Sequence, residues 1–256
     1  MTERNREAEW FGDRHVDPTE KPGLVRDVFD RVAGRYDLMN DLMSGGIHRL
    51  WKDHFVASIR PRPGQLLLDV AGGTGDIARR FLKRAGTDAE GRGARAILCD
   101  LTPAMVRVGR DRSIDASMVA GLSYLVGDAE KLPVADRSVD CVAIAFGLRN
   151  VARIDDALAE AHRVLKPGGR FYCLEFSRVR SAALRRLYDV YSFRVIPQIG
   201  RAVAQDRDAY AYLVESIRKF PAQEELASRM EAAGLKRVRW ENLSAGIAAI
   251  HWGWRI

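Results

Sequence analysis

Leu66-Leu67-Leu68-Asp69-Val70-Ala71-Gly72-Gly73-Thr74-Gly75-Asp76-Ile77-Ala78 decides the fold. Three leucines followed closely by a valine read as a buried parallel strand. The run passes into Ala-Gly-Gly-Thr-Gly. A turn this tight needs residues that tolerate positive φ and let the backbone approach a ligand. Ile77, Ala78, Phe81 and Leu82 then line a helix. Its first N–H groups favour polar or anionic ligand atoms. Strand, glycine turn and helix in this order form the first unit of a doubly wound α/β nucleotide-binding fold.

Downstream the alternation continues. Ala96–Cys99 reads as the second strand, closed by Asp100. Thr102-Pro103 starts a helix with a cap residue and then proline. Leu122–Val126, Val139–Phe146 and Phe171–Phe176 are the next strands. Ile154, Leu158, Ala161 and Leu165 form the inner face of the intervening helix, and Lys166-Pro167-Gly168-Gly169 ends it. Pro221 opens a further helix that stops at Gly234. Val238–Leu243 and Ile247–Trp254 are close enough to pair antiparallel. Upstream, Pro61-Arg62-Pro63-Gly64 separates the first strand from two helices within residues 24–59. Val25, Val28, Phe29 and Val32 recur at helical spacing, as do Ile47, Leu50, Trp51 and Phe55. Residues 1–23 are polar and are expected to form a mobile arm.

The 256 residues fit one α/β domain with additions. A hydrophobic content of 47% supports a large core, and a net charge of +7 favours an anionic partner such as a lipid surface or nucleic acid. Cys99, Cys141 and Cys173 lie in apolar runs and read as buried free thiols of a reducing compartment. Neither they nor the five histidines show metal-ligand spacing, and no metal is expected. The N-terminus carries no apolar signal core, and no run approaches a membrane span. The expectation is a cytoplasmic protein.

The glycine row is Asp69-x-Ala71-x-Gly73-x-Gly75, with Gly72 added. It departs from the G-x-G-x-x-G spacing of a dinucleotide site. It resembles the first motif of S-adenosylmethionine-dependent methyltransferases. That cofactor carries a cationic sulfonium, which Asp69 can attract. Thr74 can offer a hydroxyl and an N–H. Asp100, at the end of the second strand, can accept both hydroxyls of a ribose. Asp128, in Gly127-Asp128-Ala129, can accept from an adenine amino group.

Two further stretches carry a more specific pattern. They are Tyr36-Asp37-Leu38-Met39-Asn40-Asp41-Leu42-Met43-Ser44-Gly45-Gly46-Ile47-His48-Arg49-Leu50-Trp51 and Arg163-Val164-Leu165-Lys166-Pro167-Gly168-Gly169-Arg170-Phe171-Tyr172-Cys173-Leu174-Glu175-Phe176-Ser177. With Phe146-Gly147-Leu148-Arg149-Asn150-Val151 and Tyr188-Asp189-Val190-Tyr191-Ser192-Phe193, they resemble the ubiquinone/menaquinone biosynthesis C-methyltransferase family from about Phe11 onward. The resemblance implies a seven-stranded Rossmann-like methyltransferase sheet with an antiparallel last strand, a helical N-terminal lid over residues 24–60 and a helical insert over 184–220. It implies methyl transfer from S-adenosylmethionine to a ring carbon of a polyprenylated quinol, either a benzoquinol or a naphthoquinol. Cofactor-binding positions would be Asp69, Gly72, Gly73, Thr74, Asp100, Asp128 and Ala129. The family often has serine where Ala145 stands, which removes one side-chain hydrogen bond. Arg149 and Asn150, helped by Tyr36, are expected to stabilise the acceptor-ring oxygen, since arginine is a good partner for a phenolate. If Arg149 instead only fixes its loop, Asp155 or Asp156 would pair with it.

Residues 184–203 mix aromatic and branched residues with four arginines. They are expected to form an apolar groove for a prenyl tail and a peripheral contact with the inner face of a membrane. A quinone-biosynthesis complex and a homodimer are compatible with the sequence, and nucleic acid is not expected as a partner. Three competing readings are a methyltransferase of RNA or a small soluble acceptor, a nicotinamide oxidoreductase, and a non-catalytic member of a quinone-synthesis assembly. The absence of a recognised RNA-binding module weighs against the first. The glycine spacing weighs against the second. The intact glycine loop, Asp100 and Asp128 weigh against the third.

Overall fold

A computed structural model describes residues 9–11, 14–17, 20–32, 41, 44–179, 212 and 215–256. Tyr36 and residues 184–203 lie outside the described residues, and with them the expected groove and membrane contact. Two short strands, β1 (Glu9–Phe11) and β2 (Arg14–Val16), pair antiparallel within the segment expected to be an arm. Helix α1 (Lys21–Val32) and helix α2 (His48–Ile59) follow.

The main sheet is built by β3 (Leu66–Val70), β4 (Arg95–Asp100), β5 (Leu122–Val126), β6 (Val139–Ala145), β7 (Leu165–Phe176), β8 (Lys236–Leu243) and β9 (Ala248–Trp254). Their order is β5-β4-β3-β6-β7-β9-β8. All neighbours are parallel except β9, which runs antiparallel to β7 and β8. Helices α3 (Asp76–Ala85), α4 (Pro103–Asp115), α5 (Ile154–Val164) and α6 (Gln223–Ala232) connect the strands. The strand order reverses beside β3, where β4 leads one way and β6 the other. Open α/β sheets bind ligands outside the strand ends at such a point.

Side chains alternate across the strands and give the sheet two buried faces. Leu67, Leu98 and Leu174 pack with Phe55, Phe81 and Met105 on one face. Leu68, Val142 and Phe171 pack with Leu158, Leu226 and Met230 on the other. Cys99, Cys141 and Cys173 are buried free thiols, and burial pushes the first two up to about 12.

Several boundaries differ from expectation. Helix α5 ends just before Lys166-Pro167-Gly168-Gly169, as expected, but Leu165 belongs to β7 rather than to the helix, and β7 runs from Leu165 instead of Phe171, with an irregular register against β6 between Val139 and Cys141. Helix α6 begins at Gln223, two residues after Pro221. Thr102 makes no side-chain cap; its N–H donates to Asp100 instead. The inner face of α2 is rotated. Ile47 and Leu50 are exposed, while His48, Trp51, Lys52 and Phe55 are buried. Two polar residues sit inward because each has a carboxylate to meet: His48 reaches Asp41 at 2.8 Å and Lys52 reaches Asp76 at 3.0 Å. Although burial works against its ionisation, Lys52 and Arg80 hold Asp76 down at about 2.

Candidate active site

The glycine loop leaves β3 with Ala71, Gly73 and Gly75 all at positive φ. Its backbone is stitched to β4 twice. Gly72 N donates to the Cys99 carbonyl at 3.1 Å, and Gly73 N donates to Asp100 Oδ2 at 2.8 Å. Asp100 Oδ1 accepts from Thr102 N at 2.9 Å, so one carboxylate links the loop to the start of α4. Burial raises the Asp100 pKa against the pull of these N–H groups.

The loop borders a cavity of about 660 Å³, solvent at its mouth included. Of the site positions expected from the sequence, Gly73, Asp100, Asp128, Ala129 and Asn150 line it. Asp128 Oδ1 is shaped by the N–H of Glu130 at 2.9 Å. Asp69, Gly72, Thr74 and Arg149 are not on the cavity wall. Asp69 lies below the loop, almost wholly buried, with Oδ2 accepting from Ala78 N at 3.1 Å. Its Oδ1 is buried with no hydrogen-bond partner among the described residues. Burial raises the Asp69 pKa to about 7. Gly72 rests on it so closely that a Cβ there would stand 2.9 Å from the Asp69 carbonyl oxygen. Thr74 is buried, its carbonyl accepting from Arg79 at 2.7 Å. Asp69 thus supports the loop from beneath.

The opposite wall follows β6. Phe146 stands at φ 56, uncommon for a bulky side chain. Its N–H donates to the Leu174 carbonyl at 2.8 Å. Its ring meets Phe176 at 4.9 Å and Trp51 at 6.3 Å between centroids. Gly147 comes next, and a Cβ there would meet the Ala71 Cβ at 2.5 Å. The two loops therefore touch where only glycine fits.

Arg149 is buried with Glu175, each side chain 1% exposed. Arg149 NH1 donates to both carboxylate oxygens, at 3.0 and 2.9 Å, and to the Phe146 carbonyl at 2.6 Å. Asp155 and Asp156 are not its partners; they pair with Arg229 and Arg153. Asn150 Oδ1 accepts from the Tyr212 hydroxyl at 3.0 Å.

Sequence reasoning missed part of the wall. Pro22 and Val25 of α1 line the cavity, and Lys21 Nζ ties that helix to the Val151 carbonyl at 3.0 Å. Leu101, Met105 and Phe146 supply apolar surface. Glu130 also lines it and accepts from the N–H groups of Ala152 and Arg153 at 3.0 and 2.9 Å. The resemblance implied a helical lid over residues 24–60, but nothing local marked Pro22 or Val25 as the residues that line the cavity.

A doubly wound sheet in the order β5-β4-β3-β6-β7-β9-β8, with β9 antiparallel between β7 and β8 and a glycine loop after β3 at the switch point, is the architecture of the S-adenosylmethionine-dependent methyltransferase class. Asp100 fits the cofactor: each carboxylate oxygen holds one N–H and retains a lone pair for a ribose hydroxyl. The chain belongs to the ubiE/COQ5 methyltransferase family, whose pattern matches residues 16–255. It is similar to the ubiquinone/menaquinone biosynthesis C-methyltransferases UbiE of Cereibacter sphaeroides (54% identical over the whole of both chains) and Paracoccus denitrificans (56% identical over 96% of each). Among solved structures, an S-adenosylmethionine-dependent methyltransferase from Thermotoga maritima shares the fold. Its TM-score is 0.61 at 20% identity, covering 91% of this chain and 100% of that one. A methyltransferase in complex with the Trm112 activator of Haloferax volcanii scores 0.62 at 20% identity, covering 90% and 97%. The chain is an S-adenosylmethionine-dependent C-methyltransferase.

Proposed function

We propose that this enzyme methylates a ring carbon of a polyprenylated quinol: 2-methoxy-6-polyprenyl-1,4-benzoquinol, demethylmenaquinol or both. The observation that carries the proposal is a single cavity whose walls are the glycine loop on one side and Phe146, Gly147 and Asn150 on the other. When bound, S-adenosylmethionine supplies an electrophilic methyl group on a sulfonium. Asp100 would hold its ribose, Asp128 and Ala129 its adenine edge, and Gly73 the approach of its tail. A quinol ring becomes nucleophilic through electron donation from its hydroxyl oxygens, so the protein's task is to position it, exclude water and stabilise charge on oxygen. Phe146 and Met105 give the cavity an apolar surface suited to a ring. Asn150 is the residue proposed to contact the acceptor oxygen. Arg149, bonded to Glu175 and to the Phe146 carbonyl, is proposed to hold that wall in place. Tyr36 follows closely on α1, which already lines the cavity, and this supports a contribution from the lid. Because a prenyl tail stays in the bilayer, the enzyme is proposed to work peripherally at a membrane surface. No helix among the described residues is long and apolar enough to cross one.

Mass spectrometry of quinones from cells lacking the protein tests the reaction. A demethylated polyprenyl quinone should accumulate and identify the ring. An unchanged quinone profile would refute the proposed acceptor.

A further inference from the structure

Asn150 lines the cavity, and its side-chain amide has two unlike ends. The terminal torsion of asparagine is broad and roughly two-fold, so rotation exchanges an acceptor oxygen for a donor nitrogen. The backbone of Asn150 is fixed by its N–H bond to the Gly147 carbonyl at 3.1 Å, but that bond does not orient the amide. Tyr212 does. Its hydroxyl donates to Asn150 Oδ1 at 3.0 Å across 62 residues of chain, and its side chain is 3% exposed. Burial raises the phenol well above its ordinary range, so the hydroxyl keeps its proton and remains a donor.

We infer that Tyr212 is a positioning residue for methyl transfer: by occupying Asn150 Oδ1, it leaves the Asn150 N–H groups as those offered to the cavity. The site then selects an acceptor oxygen, which in the proposed reaction is the quinol oxygen gaining negative charge. The inference rests on that proposal for the identity of the oxygen. The bond between Tyr212 and Asn150 stands apart from it.

Tyr212→Phe keeps the buried ring and removes only the hydroxyl. Single-turnover methyl transfer to a reduced short-tailed quinol, without oxygen, should slow about 5- to 10-fold, as loss of one neutral hydrogen bond predicts. Cofactor affinity by calorimetry and quinol KM should stay near wild type, and the melting temperature should fall by no more than about 2–4 °C, the cost of one buried hydrogen bond. In an Asn150→Ala background the same substitution should slow transfer no further, because the group it orients is gone. A wild-type rate in Tyr212→Phe, or equal slowing in both backgrounds, would overturn the inference. A second measurement does not depend on turnover. The Asn150 side-chain amide signal, assigned by its loss in Asn150→Asp, should be ordered in the wild type and averaged in Tyr212→Phe. An unchanged signal would overturn the positioning role. If the wild type itself fails to methylate the quinol, the acceptor proposal fails, and the amide signal still decides on Tyr212.

Discussion

Replacing Glu175 with alanine should loosen the cavity wall and destabilise the whole domain. Both side chains of the Arg149–Glu175 pair are 1% exposed, so water cannot replace the lost carboxylate. That carboxylate also accepts from Arg149 N at 3.3 Å and Phe176 N at 3.0 Å. Removing one member of a buried pair costs about 3–5 kcal/mol. We expect about 3 kcal/mol, the lower end, because Arg149 retains the Phe146 carbonyl. For a chain of this size that lowers the melting temperature by roughly 6–12 °C. Calorimetry and urea unfolding of the cofactor-free protein measure it. Glu175→Met combined with Arg149→Met should regain part of the loss, since apolar replacements remove the burial cost of both charges. Recovery stays incomplete because the Phe146 carbonyl and Phe176 N–H lose their partners. Transfer should remain impaired, since the carbonyl of Phe146, a residue at positive φ, is no longer held and only its N–H bond to Leu174 remains. A loss below about 1 kcal/mol for Glu175→Ala, typical of an exposed pair, would refute the reasoning.

Gly147→Ala should weaken S-adenosylmethionine binding about tenfold or more, because its methyl meets Ala71 at 2.5 Å while φ at Gly147 is −119 and carries no strain; titration calorimetry measures it, and Ala71→Gly in the same chain should relieve it. Asp69 gives a pH signature. Its folded pKa near 7 lies above the unfolded carboxylate value, so the folded state holds the proton between about pH 4 and 7 and loses stability as pH rises through that window. In the cofactor-free protein, the melting-temperature advantage of Asp69→Asn over wild type should grow from pH 5 to 7.5 and then level off; a constant difference would place Asp69 in a more solvated site.

The sheet was legible because its strands are short apolar runs ended by glycine or an acid, and the loop chemistry after β3 is local. Gly73, Asp100, Asp128 and Ala129 reach the cavity for the same reason: each lies at or just after the carboxyl end of one of the neighbouring strands β3, β4 and β5. The misplacements have a different origin. Ile47 and Leu50 matched an apolar period, yet His48 and Lys52 turned inward because Asp41 and Asp76 waited there. Periodicity counts hydrophobes and cannot see a carboxylate on another element. Arg149 shows the same limit. Asp155 and Asp156 are its near neighbours in sequence, but α5 carries them to Arg229 and Arg153. The true partner follows from register: Ala145 lies opposite Leu174 in the β6–β7 ladder, so the next residue of β7, Glu175, falls beside the loop that leaves β6. Given the strand order, that pairing could have been worked out from the sequence. The Tyr212–Asn150 bond could not, since no ladder joins them. The groups that hold the β6 side of the cavity are thus supplied by distant segments, Glu175 and Tyr212; if that side takes the acceptor as proposed, a substitution in one of them should act on methyl transfer without touching the cofactor.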